Sequence, residues 1–179
     1  MEIIRGTDRV VVPMGDQVFK LPQFSARHAL SATIDASRYG QKGVRRYWGM
    51  NADMYQSPQW FLLHGVVANR REAGLARDFP DIVIRTRMLG GGVLNVQPRA
   101  ERLDLSSHDV ADIFAAHMRG KVAFVGHMVE NASNFGMCDD GQVRFLDGGS
   151  DKLENVLRDR GEYQRVGAAL QELTRLSFS

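Results

Sequence analysis

The chain has 179 residues, 44% apolar and 25% charged, a composition that fits one globular domain with a real core and excludes a low-complexity chain. A net charge of only +2 leaves no general electrostatic case for nucleic acid or an anionic membrane, and no run approaches the roughly 20 apolar residues of a membrane helix. The single cysteine, Cys138, excludes an internal disulfide and a multi-cysteine zinc site, and the opening MEIIRGTDRVVV mixes acid and base too early for a signal peptide, so a cytoplasmic location is expected.

Three β-branched-rich pieces, Met1–Arg5, Arg9–Met14 and Gln17–Leu21, predict a strand meander broken at Gly6-Thr7-Asp8 and Gly15-Asp16. The third strand carries Lys20. The stretch from Phe24 to Gln56 is irregular, with a short helix expected within Ser25–Ala36 and a small basic cluster at Arg45-Arg46. Ser57-Pro58 is a strong helix opening, and Trp60, Leu63, Val67 and Leu75 form an apolar stripe that should stop before Pro80. That helix holds His64, read as a core-edge histidine, and Glu72, which lies among Arg70, Arg71 and Arg77. Two strands, Ile82–Met88 and Val93–Gln97, follow, joined through Leu89-Gly90-Gly91-Gly92. No helix follows those glycines to supply an anion-binding N-terminus, so they read as a turn and not as a phosphate loop.

Ser106 or Ser107 begins the next helix, with Asp109 and Asp112 near its positive end. Val110, Ile113, Phe114 and His117 mark its buried side, and Gly120 ends it. A mostly apolar segment, Lys121–Val125, then leads into a polar loop from His127. Asp139-Asp140-Gly141 followed by Gln142–Leu146 predicts a hairpin that folds Asn134 back beside Asp147. An amide oxygen and a carboxylate held together suit a hard cation such as Mg²⁺. One or two amphipathic helices close the chain, Leu153 and Leu157 suggesting the first and Val166, Leu170 and Leu173 marking the second.

The loop and hairpin resemble the catalytic and metal loops of the protein-kinase-like fold, whose pattern is H-R-D-x-x-x-x-N, a hairpin, then D-F-G. His127 stands at the histidine position, Asn134 follows seven residues later and Asp147 thirteen after that, with Asp147-Gly148-Gly149 in place of D-F-G. The likeness is to reduced kinase-like proteins, such as the small early protein kinases of bacteriophages or compact bacterial kinase-like families. It implies an α+β, compact two-lobed fold with an N-terminal antiparallel sheet over residues 1–98 and a truncated helical lobe over 99–179. It further implies that Lys20 meets nucleotide phosphates, that Glu72 orients Lys20, and that Asn134 and Asp147 hold Mg²⁺ beside ATP. Asn95–Arg99 would line the adenine side of the cleft with backbone groups. The position of the catalytic Asp is Val129, which accepts no proton, so Glu130 or His127 would have to serve as base.

Two functions follow from the resemblance. One is a catalytically degenerate kinase-like protein that binds and modulates a partner protein; the other is a compact ATP- and Mg²⁺-dependent phosphotransferase acting on a protein substrate. The bland alternatives remain open beside them. Lys20 can be a solvated strand lysine, Glu72 a surface salt-bridge residue, and Asn134 and Asp147 caps of a polar turn in an unrelated α+β domain.

Overall fold

A computed structural model describes residues 3–5, 9–22, 64–118, 129 and 131–178. The expected helix within Ser25–Ala36, the basic pair Arg45-Arg46, the Ser57-Pro58 helix opening with Trp60 and Leu63, and the Lys121–Val125 segment lie outside them. The described residues form an α+β structure with two antiparallel sheets and four α-helices. No helix among them is long and apolar enough to cross a membrane.

The first sheet has strands β1 (Ile4–Arg5), β2 (Arg9–Met14), β3 (Gln17–Pro22), β4 (Arg87–Leu89) and β5 (Leu94–Pro98), in the order β1-β2-β3-β5-β4. The turn at Gly15-Asp16 sets the β2–β3 register, which pairs Val11 with Lys20, and β5 then places Asn95 opposite Lys20. Because side chains alternate across a strand, Arg9, Lys20 and Asn95 share one face of this sheet. Helix α1 (His64–Asp78) packs on β3, β4 and β5 and covers that face. Its end, just before Pro80, is where a proline two residues on should put it.

Between α1 and β4 the structure departs from the sequence expectation. Residues 82–86 do not extend β4. Instead Val83 makes a parallel bridge to Phe145, with Ile84 N donating to Phe145 O at 3.0 Å and Phe145 N to Ile82 O at 2.9 Å. An apolar run such as Ile82-Val83-Ile84 declares burial without naming its partner, and the second sheet claims it. The glycines form a single 3-10 turn, Gly90–Gly92, with positive φ at all three. At Gly92 a Cβ would come within 2.9 Å of Arg70 Cγ and of the Val66 carbonyl oxygen, so no other residue fits this close approach to α1.

The second sheet is small: β6 (Glu101–Arg102), β7 (Phe135–Met137) and β8 (Val143–Phe145). The expected β7–β8 hairpin is present, closed by Cys138 N to Gln142 O and Gly141 N to Cys138 O, with Gly141 at φ +73°. Asp140 accepts a forked pair of bonds from Arg144 across the turn. Helix α2 (Ser107–Met118) starts with Ser106 and Asp109 bonding each other reciprocally, Asp109 N to Ser106 Oγ and Ser106 N to Asp109 Oδ2. The bonds from Ser106 hold the exposed Asp109 carboxyl below its usual range. Helices α3 (Asp151–Arg158) and α4 (Arg160–Leu176) are separated by Asp159, whose carboxylate caps α4 at Gly161 N and Glu162 N.

One apolar core joins α2, α3, α4 and the second sheet with Leu75 and Ala76 of α1 and with Ile82 and Val83. Its centre is an aromatic trio, Phe114, Phe135 and Phe145, with ring centroids 4.6–5.9 Å apart. His117 is not part of the buried side of α2, as its spacing suggested. It is half-exposed, and its Nε2 lies 2.6 Å from Glu172 of α4. The first sheet contributes nothing to this core, and its buried side chains are largely polar: Arg9, Lys20, Asn95 and Gln97.

Candidate functional site

The polar interface between the first sheet and α1 is organised around Glu72, which is fully buried. Its Oε1 accepts from Lys20 Nζ at 2.6 Å and from Gly148 N at 3.2 Å, while Oε2 accepts from Arg9 Nη1 at 2.9 Å and Asn95 Nδ2 at 3.0 Å. Asn69, one turn earlier on α1, ties the strands to the helix, donating to Lys20 O at 3.2 Å and Gly92 O at 2.9 Å. Glu72 is therefore no surface salt-bridge residue, and Lys20, only 5% exposed, is no solvated strand lysine.

The third wall comes from the segment after β8. Lys20 Nζ also donates to Leu146 O, and Arg9 Nη2 donates to Asp147 Oδ1, which also accepts from Gly149 N at 3.2 Å. Among the described residues, two cations and two carboxylates thus form one network contributed by β2, β3, α1 and the loop after β8. Gly148 packs closely here, since a Cβ there would lie 3.0 Å from Val83 Cγ1, tighter than an ordinary contact. Arg71 holds the loop from the other side, bonding Gly149 O at 3.2 Å and Glu154 of α3 at 3.1 Å.

The electrostatics follow from this packing. Burial lowers the pKa of Lys20, against the pull of Glu72, with the Arg9 charge adding to the lowering. For Asp147 burial acts to raise the carboxyl, but the Arg9 and Lys20 charges and the Gly149 amide outweigh it, and its pKa falls to about 2. Its side chain remains half-exposed, 49% by area, whereas that of Arg9 is 8% exposed.

The residues singled out in the sequence meet in part. Lys20, Glu72 and Asp147 come together. Asn134 ends a 3-10 turn, Ala132–Asn134, and its carbonyl accepts from Leu146 N at 2.7 Å, so the hairpin does return its backbone to the neighbour of Asp147. His127 and Glu130, the two candidate bases, lie outside the described residues. Val129, which the resemblance aligns with the catalytic base, is a fully buried member of the apolar core. Asn95, expected to offer backbone, instead contributes its side chain to Glu72. Arg9 was not among the candidates. Its signal was an inward-facing charge on β2, visible only once the β2–β3 register is known.

Among the described residues Asp147 Oδ1, the oxygen a divalent ion would share, faces the Arg9 guanidinium, and the Lys20 ammonium bonds Glu72 and Leu146 O. Among the described residues no three His, Cys, Asp or Glu side chains gather as they would around a metal ion. No protein-family model, curated protein or solved structure matches the chain.

Proposed function

We propose that the chain is a kinase-like protein that does not transfer phosphate and acts by binding and modulating a partner protein. One observation carries the reading: the interface between the first sheet, α1 and the loop after β8 is occupied by an ion network of the chain's own side chains, while Val129, which the resemblance aligns with the catalytic base, lies in the apolar core. Removing charges from water costs several kcal/mol per ion, and well-packed apolar residues would serve stability as well or better. Buried, mutually perturbed charges of this kind gather at functional sites, which supports reading this interface as one inherited from a ligand-binding protein. Support for a protein partner comes from β4, an edge strand among the described residues, which is exposed throughout and carries Met88 and Leu89, with Val93 just beyond the glycine turn.

The test has two arms on the full chain. Phosphate transfer from radiolabelled ATP and Mg²⁺ to protein acceptors should be no greater for the wild type than for Asp147→Ala. A pull-down should recover one stoichiometric partner equally well with either protein. Transfer that is present in the wild type and lost in Asp147→Ala would overturn the proposal. It would favour the second reading, an active compact phosphotransferase, whose own support is the 2.6 Å Lys20–Glu72 pair, the pairing that the kinase-like resemblance requires.

A further inference from the structure

Arg9 does something that neither the resemblance nor the partner-binding reading assigns. One guanidinium spans two carboxylates on separate elements, with Nη1 on Glu72 Oε2 at 2.9 Å and Nη2 on Asp147 Oδ1, and Nη1 also reaches Asn69 Oδ1 at 3.4 Å. It is anchored by β2, where Arg9 pairs with Pro22, and is almost wholly shielded from water. Gly149 leaves it room, since a Cβ at that position would stand 3.2 Å from Arg9 Nη2.

The charge count explains what this seat accomplishes. Without Arg9, the Asp147 and Glu72 carboxylates would, among the described residues of the network, face only the Lys20 cation, a net negative site of the kind that draws a divalent cation. With Arg9 the same groups sum to zero, and the oxygen that a metal ion would share points at a guanidinium. Mg²⁺ needs near-octahedral oxygen coordination and gives up its waters reluctantly, so it competes poorly for an oxygen already held by a tethered cation. A divalent ion brought to Asp147 would also meet Arg9 at close range in a partly desolvated site, where like charges repel strongly.

We propose that Arg9 is a built-in counter-cation that takes the place of a divalent metal ion beside Asp147 and so closes the cleft of this chain to Mg²⁺ and Mn²⁺. The proposal rests on the cleft reading above only for the choice of Asp147 as the residue a metal ion would use. Its test contains neither nucleotide nor partner, so its outcome is separate from that of the pull-down.

Mn²⁺ is titrated into the full chain and the free ion followed by electron paramagnetic resonance, with circular dichroism confirming that each variant is folded. The wild type should show no Mn²⁺ binding that depends on Asp147. Arg9→Gln, which keeps a donor for Glu72 but removes the charge, should bind Mn²⁺ at least tenfold more tightly than the wild type, and adding Asp147→Asn should abolish the gain. Should Arg9→Gln fail to fold, Arg9→Met, which also removes the charge, is held to the same expectation. Wild-type Mn²⁺ binding lost in Asp147→Asn overturns the proposal, and so does a folded variant with no gain.

Discussion

Replacing Glu72 by Gln removes one negative charge from the centre of the buried network while keeping the side chain's shape. Four donors converge on this carboxylate, two of them cationic, and none of its surface reaches water. The Gln amide can accept through one oxygen, but its NH₂ would face donors, and Arg9 and Lys20 would be left with Asp147 as their one carboxylate in the network. Breaking a buried pair in this way costs about 3–5 kcal/mol, a large share of the roughly 5–15 kcal/mol that holds a typical domain together. With a urea m-value of about 2 kcal/mol/M, the unfolding midpoint at pH 7 should fall by about 2 M. Lys20→Met in the Glu72→Gln background removes a cation along with its anion, so the double variant should lose at least 1 kcal/mol less than the two single losses together, about the size of coupling expected within one network. A Glu72→Gln loss under about 1 kcal/mol, the range of an exposed pair, would refute the account of the network, as would strict additivity in the cycle.

Glycine substitutions separate tight contacts from open space. Gly136→Ala would set a Cβ 2.7 Å from Ala100 Cβ and 3.1 Å from Glu101 O and should cost about 1–3 kcal/mol in urea unfolding, whereas Gly74→Ala, inside α1 with nothing within 4 Å, should raise stability by about 0.5–1 kcal/mol; equal effects would contradict the packing described. Phe145→Ala removes the ring closest to Phe135 and should cost about 3–5 kcal/mol, and a loss below 1 kcal/mol would show that the aromatic trio is not the centre of the core. Burial raises the Cys138 thiol above its ordinary range against the pull of Arg144, so iodoacetamide should label it more slowly than the urea-unfolded chain at pH 8.5. The sign carries into stability: a raised acid pKa favours the folded state below the ordinary thiol value, and that contribution is lost as pH rises through the folded one. Labelling as fast as in urea would count against the burial of Cys138.

Much of the fold could be read from local chemistry. The β2–β3 turn, the reciprocal cap of α2, the acidic-Gly hairpin turn and the helical spacing of Leu153, Leu157, Val166, Leu170 and Leu173 each depend on residues close in sequence, and each element appears where those residues put it. What escaped depends on distant partners. Ile82-Val83-Ile84 looks the same whether it joins the first sheet or bridges to β8, and only the tertiary arrangement decides. Lys20 and Glu72, 52 residues apart, could be paired in advance only through the kinase-like resemblance, because composition and spacing alone allow both to be solvated. Arg9 is the instructive miss. A charge at the start of a strand ordinarily reads as an exposed edge, and its burial follows from a register that places it on the same face as Lys20, opposite carboxylates 63 and 138 residues away.

The parallel bridge between Val83 and Phe145 has a mechanical consequence. Helix α1 could swing with the first sheet as a lever only if the segment that follows it were slack, yet that segment is stitched by paired backbone bonds to the strand leading into Leu146 and Asp147. The helix bearing Glu72 and the loop bearing Asp147 are thus coupled through a short length of backbone as well as through their charges, and a motion that parted them would have to shear the bridge. At this junction the backbone itself ties the helix that carries Glu72 to the loop that carries Asp147, as a clamp does.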